Sequence, residues 1–137
     1  MADRDEKPEV MLEDVKLEKV WDEKACKDVP GWAGKTLEKA LGNKIEIVSS
    51  KPKAGFILRS AIELIIFDEK KGELSAAMSV IVMDADKSLK ASLSTKGGLK
   101  GIDAKNLQKK LQKLVETLAD KCGKDAADEI LAAAKGK

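Results

Sequence analysis

The sequence predicts an α+β domain: a four- to five-stranded, mainly antiparallel sheet with two helices packed on one of its faces. Three observations carry that expectation. Between residues 56 and 93, three stretches place large aliphatic residues at every second position, the period of a strand with one buried face. Short segments rich in Gly, Lys and Asp separate those stretches. On either side, around residues 30–42 and 104–122, apolar residues recur at helical spacing instead. With 137 residues there is material for one domain and one core. We read residues 1–10 as a flexible acidic arm and residues 11–137 as the domain.

The elements follow in order. The opening MADRDEKPE has no apolar run and reads as solvated. In MLEDVKLEKVW, residues 11–21, Val15 and Leu17 alternate as in a strand, whereas Leu17 and Trp21 suit a helix; we take it as a first, edge strand. Pro30 precedes a helix through Trp32, Leu37, Ala40 and Leu41, which Gly42-Asn43 closes. KIEIVS supplies a short strand with Ile45 and Ile47.

The meander comes next. Its core positions are Phe56, Leu58, Ser60, Ile62, Leu64 and Ile66, then Leu74, Ala76, Met78, Val80 and Val82, then Leu89, Ala91 and Leu93. A three-residue loop, Lys70-Lys71-Gly72, with Gly72 left-handed, would set Ile66 against Ala76, Leu64 against Met78 and Ile62 against Val80. An even-length turn around residues 84–87 would set Val82 against Leu89 and Val80 against Ala91. The KPKAG segment would bring Ile47 opposite Leu58 and complete four antiparallel strands. Asp103 is placed to cap a helix from about Ala104, with Leu107, Leu111, Leu114, Val115, Leu118 and Cys122 on one stripe. Gly123 is expected to interrupt it, and Asp125 to cap a short continuation.

Composition narrows the chemistry. There is no His, so the commonest acid–base group and metal ligand is missing, and no Ser-His-Asp or Cys-His arrangement can form. We expect no catalytic activity, no cofactor and no bound metal. Cys26 and Cys122 read as two reduced thiols or as a staple to the last helix. Asp84-Ala85-Asp86-Lys87-Ser88 lacks the ligand count of a calcium loop and reads as a hairpin turn. KGGLKG, residues 96–101, lacks P-loop spacing and reads as a linker. No apolar run is long enough to cross a bilayer. A cytoplasmic location is expected, although a mature exported form would look the same.

Charge and the second sheet face remain. Residues 1–30 carry 10 acidic and 6 basic groups; residues 31–137 carry 14 acidic and 20 basic. Lys105, Lys109 and Lys113 form a stripe opposite the leucines, able to meet phosphates or anionic lipid, although a solvated helix back is the default reading. Nucleic acid is the weaker partner, since aromatics for stacking and arginines for bidentate contacts are scarce. The second face of the sheet mixes Ile57, Ile65, Ile81 and Met83 with Arg59 and Glu63. Either the N-terminal segment covers it or a protein partner or second copy does.

The order strand, helix, meander, amphipathic helix resembles the amino-terminal domain of TolB and related bacterial envelope lipoprotein domains. KAGFILRSAIELIIFDEKKGELSAAMSVIVMDADKSLKAS followed by NLQKKLQKLVETLADK carries the resemblance, over roughly residues 14 to 122. It implies a non-catalytic docking domain.

Overall fold

The structure, a computed structural model, describes residues 7–42, 44–49 and 55–135. Its elements are β1 (Glu9–Leu12), β2 (Lys16–Val20), α1 (Val29–Leu41), β3 (Glu46–Val48), β4 (Phe56–Asp68), β5 (Glu73–Asp84), β6 (Leu89–Leu99) and α2 (Leu107–Lys135). The six strands form one mixed sheet in the order β3-β1-β4-β5-β6, with β2 beside β4. The class is α+β with a mostly antiparallel sheet, as expected; the sheet has six strands rather than four to five.

Two corrections concern the N-terminal half. Glu9 and Val10, assigned from sequence to the acidic arm, belong to β1, and Val10 is fully buried. Residues 1–6 of that arm lie outside the described residues. β1 and β2 both run parallel to β4, as one strand path broken at Glu13–Val15, where the Glu13 amide still donates to the Leu58 carbonyl (3.0 Å). β3 is likewise parallel to β1, with Ile47 beside Val10, and does not pair antiparallel with β4. Pairing across the helical connection of α1 requires this, because parallel neighbours need a long crossover and α1 supplies it. Residues 51–54 of the proposed turn at KPKAG, and the Asn43 stop signal, fall outside the described residues.

The β4–β5–β6 meander stands, with a different register. Asp68 rather than Glu69 closes the first hairpin, opposite Glu73. Its Oδ1 accepts from the amides of Lys70 (3.0 Å) and Lys71 (3.2 Å), and the Gly72 amide donates to its carbonyl (2.8 Å). Gly72 has φ 64°, as its position demands. This longer turn shifts the pairing by one residue, so Ile65 faces Ala76 and Phe67 faces Leu74. A β-bulge then restores parity: Glu63 is the extra residue, and Ile62 faces Met78, with Ser60 facing Val80. The core therefore takes Phe56, Leu58, Ser60 and Ile62, then switches to Ile65, which is 0% exposed. Leu64 and Ile66, expected in the core, are turned to the other face, and Ile66 is 46% exposed.

The second hairpin repeats the device. Its loop has three residues, with Lys87 left-handed (φ 67°) and the Asp84 amide donating to the Ser88 carbonyl (3.0 Å). Lys90 is the extra residue, so Val82 faces Ala91 and Val80 faces Leu93 instead of the expected Leu89 and Ala91. Leu89, expected in the core, lies on the other face, 63% exposed. Strand β6 then continues through Lys96-Gly97-Gly98 to Leu99, so this segment is strand and not linker. Gly97 lies beneath α2: a Cβ there would sit 3.4 Å from both Leu114 Cδ1 and Leu118 Cδ2.

Helix α2 begins at Leu107 and runs unbroken through Gly123 for 29 residues. Asp103 Oδ1 accepts from the amides of Lys105 and Asn106 (both 2.9 Å), tying the turn before it. Gly123 does not end the helix because its missing side chain is a contact surface: a Cβ there would lie 2.4 Å from Ala40 Cβ on α1. Gln108 Nε2 also donates to the Ala25 carbonyl (2.9 Å), and both meetings span 83 positions, so α1 and α2 run parallel. Both helices join one core with Leu58, Ile62, Leu74 and Met78 from the sheet. Cys26 and Cys122 are buried and free. At that fixed offset they lie roughly 20 Å apart along the helix pair, beyond disulfide reach.

Candidate interaction face

The face of the sheet away from the helices is read row by row, since residues paired across antiparallel strands share a face. At the end nearest β3 the row is Val48, Met11, Ile57, Met83 and Leu89, an apolar band across five strands. Arg59, Ile81 and Ser92 form the next row; Lys16, Ala61, Ser79 and Ser94 the one after. Then come Lys19, Leu64, Ala77 and Lys96, with Glu63 at the bulge, and finally Ile66, Ser75 and Gly98. A strand facing two cores would be apolar throughout, and one facing water would be polar throughout. This face is neither.

Of the six residues expected on this face, Arg59, Glu63 and Ile81 stand on it with exposed or half-exposed side chains. Ile57 and Met83 are on it too, yet only 1% and 7% exposed, so the apolar band is largely occluded except at its end, where Leu89 is 63% exposed. Ile65 is not on it. The Glu63 bulge reverses its direction and sends it into the main core, so Leu64 and Ile66 take the role assigned to it. Strict alternation from Phe56 carries no sign of an inserted residue, and sequence reasoning missed both.

Electrostatics on the face centre on Arg59. Its Nε donates to Glu13 Oε1 at 2.7 Å, pinning the β1–β2 break to β4. That hydrogen bond holds the Glu13 carboxyl below its ordinary range, with Lys87 and Lys16 adding smaller effects. Glu18, Lys19, Glu63, Leu64 and Ala77 line a shallow depression of about 660 Å³ at the bulge. A second groove, about 630 Å³, lies between α1 and the β1–β2 break, lined by Leu12, Val15, Gly31 and Gly34 among others. No group of His, Cys, Asp and Glu suited to a metal ion occurs among the described residues.

The lysine stripe is less compact than expected. Lys109 and Lys113 are exposed on α2, but Lys105 is in the preceding turn because the helix starts three residues later than Ala104. Beyond Lys113, Glu116, Asp120 and the Lys124–Asp120 pair (3.0 Å) follow. The thiols are inert in character: burial pushes both Cys26 and Cys122 up to about 11. In the 84–88 turn, Asp84 Oδ1 accepts from the amides of Asp86 and Ser88 (both 2.9 Å), which is the work of a turn residue. No helix among the described residues is long and apolar enough to cross a membrane.

No family model matches the chain, and no curated protein does. Among solved structures it is similar to the hypothetical protein CT253 from Chlamydia trachomatis, with TM-score 0.73 and 13% identity over 93% of this chain and 99% of that one. It is also similar to XCC0632 from Xanthomonas campestris, of the family DUF330, with TM-score 0.69 and 7% identity over 96% and 90%. A third likeness is to the PelC dodecamer from Paraburkholderia phytofirmans, with TM-score 0.52 and 14% identity over 86% and 87%. At these identities the likeness is one of fold. It fits the bacterial side of the resemblance drawn from the sequence; none of the three carries the TolB name.

Proposed function

We propose that this chain is a non-catalytic interaction module that docks a protein partner on the bare face of its sheet. One observation carries the reading. Both helices cover the same face of the sheet, while the opposite face keeps Leu64, Ile66, Ala77 and Ile81 at least partly open, interleaved with serines and opposite charges. Contiguous apolar groups of this kind are costly to leave in water and serve as binding surfaces when rimmed by polar groups.

The absence of His and the raised thiols support the non-catalytic reading. Similar folds include a lipoprotein, GNA1162 from Neisseria meningitidis (TM-score 0.50), and a dodecamer, which support an assembly role at a bacterial envelope over the cytoplasmic location expected from sequence. The anion-binding alternative at Lys105, Lys109 and Lys113 is the weaker one, because Lys105 lies outside the helix and acidic residues follow Lys113.

The test is a Leu64→Lys/Ile81→Lys variant used beside the wild type as bait for envelope extracts. Retained thermal unfolding with loss of specifically bound protein is the expected result. Unchanged capture by the double variant, or capture that disappears smoothly with salt and depends on the three lysines, would overturn it.

A further inference from the structure

Resting on that reading, we propose that the partner on the bare face is a second copy of this chain. The two copies pack face to face about a two-fold axis crossing β4, β5 and β6 at the row Ala61, Ser79 and Ser94. A two-fold interface must complement itself: residues on the axis meet their own counterparts, and each row above meets the row equally far below. The axis row is made of small side chains, which lets two sheets approach to roughly 10 Å.

The flanking rows then match. One row toward the 84–88 turn stand Arg59 and Ile81; one row the other way stand Glu63, Leu64 and Ala77. The axis therefore places Arg59 over Glu63 of the second copy, and Ile81 over the shallow depression floored by Leu64 and Ala77. Two rows out, exposed Leu89 meets Gly98, which offers no side chain, while Ile57 and Met83 stay occluded at 1% and 7% exposure. The guanidinium has five donors, so holding Glu13 leaves some for a second carboxylate. Lys16 is the like-charge exception; it meets its own counterpart at the exposed rim, where solvent and salt screen it.

Extent and the alternative edge agree with this choice. Four strand widths at about 4.8 Å and about eight residues at about 3.3 Å, from Arg59 to Ile66, give roughly 500 Å² per copy, about the 1,000 Å² in total that a specific interface needs. Self-pairing through the β6 edge is disfavoured, because that strand carries Lys90 and Lys96 and no acidic residue.

The experiment is light scattering on the full chain with Arg59→Glu, Glu63→Arg and both together. Wild type is expected at twice 14.8 kDa. Each single change sets like charges against each other twice, and should raise the concentration needed for dimer at least about tenfold. Equimolar mixing of the two single variants should restore a dimer, as should both changes in one chain, because each arrangement again opposes unlike charges. That rescue cannot come from misfolded variants. Ser79→Arg, on the axis, should be monomeric with an unchanged fold. A monomeric wild type, single variants that dimerise like wild type, or a mixture that stays monomeric would each overturn the dimer. A monomer that still captures protein through Leu64 and Ile81 would do so while leaving the interaction-module reading intact.

Discussion

Replacing Gly123 by Ala tests the close contact between α1 and α2. A new Cβ would stand 2.4 Å from Ala40 Cβ and 3.4 Å from the Leu37 carbonyl oxygen. Carbon atoms rest at about 3.5–4.0 Å, so the helices must part by about 1 Å or rotate. Overfilling a packed site costs about 1–3 kcal/mol. Against this, Ala in a helix interior gains about 1 kcal/mol over Gly. The net expectation is a loss of about 0–2 kcal/mol, or up to about 8 °C in Tm. That range overlaps zero, so the decisive quantity is the coupling with Ala40→Gly. Alone, Ala40→Gly loses at most about 1 kcal/mol of propensity. Combined with Gly123→Ala, it removes the clashing partner, and the double variant should exceed the additive expectation by about 1–3 kcal/mol. Urea melts of the four proteins measure this. A stabilised Gly123→Ala with zero coupling would refute the close contact.

Further outcomes follow from single groups. Ser60 is buried in the apolar core with no partner for its hydroxyl among the described residues, so Ser60→Ala should stabilise by about 1–3 kcal/mol in chemical denaturation; a loss would reveal a partner. Gly72→Val should destabilise by more than about 1 kcal/mol, since the left-handed φ of 64° is compounded by the Ile102 carbonyl oxygen 3.0 Å from the new Cβ. Glu13 is held below its ordinary pKa by Arg59, so the pair favours the fold above the ordinary carboxylate range, and that contribution is lost as pH falls through the lowered value. Nuclear magnetic resonance titration of Glu13 in wild type and Arg59→Ala should show the midpoint rise in the variant.

How far the sequence carried depends on what each residue encodes. Alternation at Leu74, Ala76, Met78, Val80 and Val82 placed the whole of β5 on its correct face, because no inserted residue interrupts it. Along β4 the same pattern was ambiguous: Leu64, Ile65, Ile66 and Phe67 are all apolar, so either parity reads as a core face. The choice was made by Asp68, whose side chain accepts from the amides of Lys70 and Lys71 and so lengthens the turn, a local side-chain decision that periodicity does not reveal. Gly123 misled for a similar reason. A glycine in a helix reads as a stop unless the neighbour it admits is known. The candidate face was half legible: Arg59, Glu63 and Ile81 are where alternation put them, whereas Ile65 followed the bulge inward. Parallel pairing of β1 and β3 left no local signature, since its partners are dozens of residues away.

That separation also orders assembly in time. The β4–β5–β6 meander and α2 are contiguous in the chain, so their hairpins and helix form from nearby residues with little loop closure. By contrast β1, β2 and β3 join through parallel pairings, and α1 meets α2 across 83 positions. Residues 55–135 thus hold the early half of the fold, and the N-terminal half docks on a platform already in place. The contact around Gly123, where α1 closes on α2, is then expected to form late. Opening runs in reverse, and amides of β1, β2 and α1 should exchange with solvent before those of β4 and β5. The bare face of β4, β5 and β6 belongs to the half that forms first and opens last, so a partner can find it before the domain is complete.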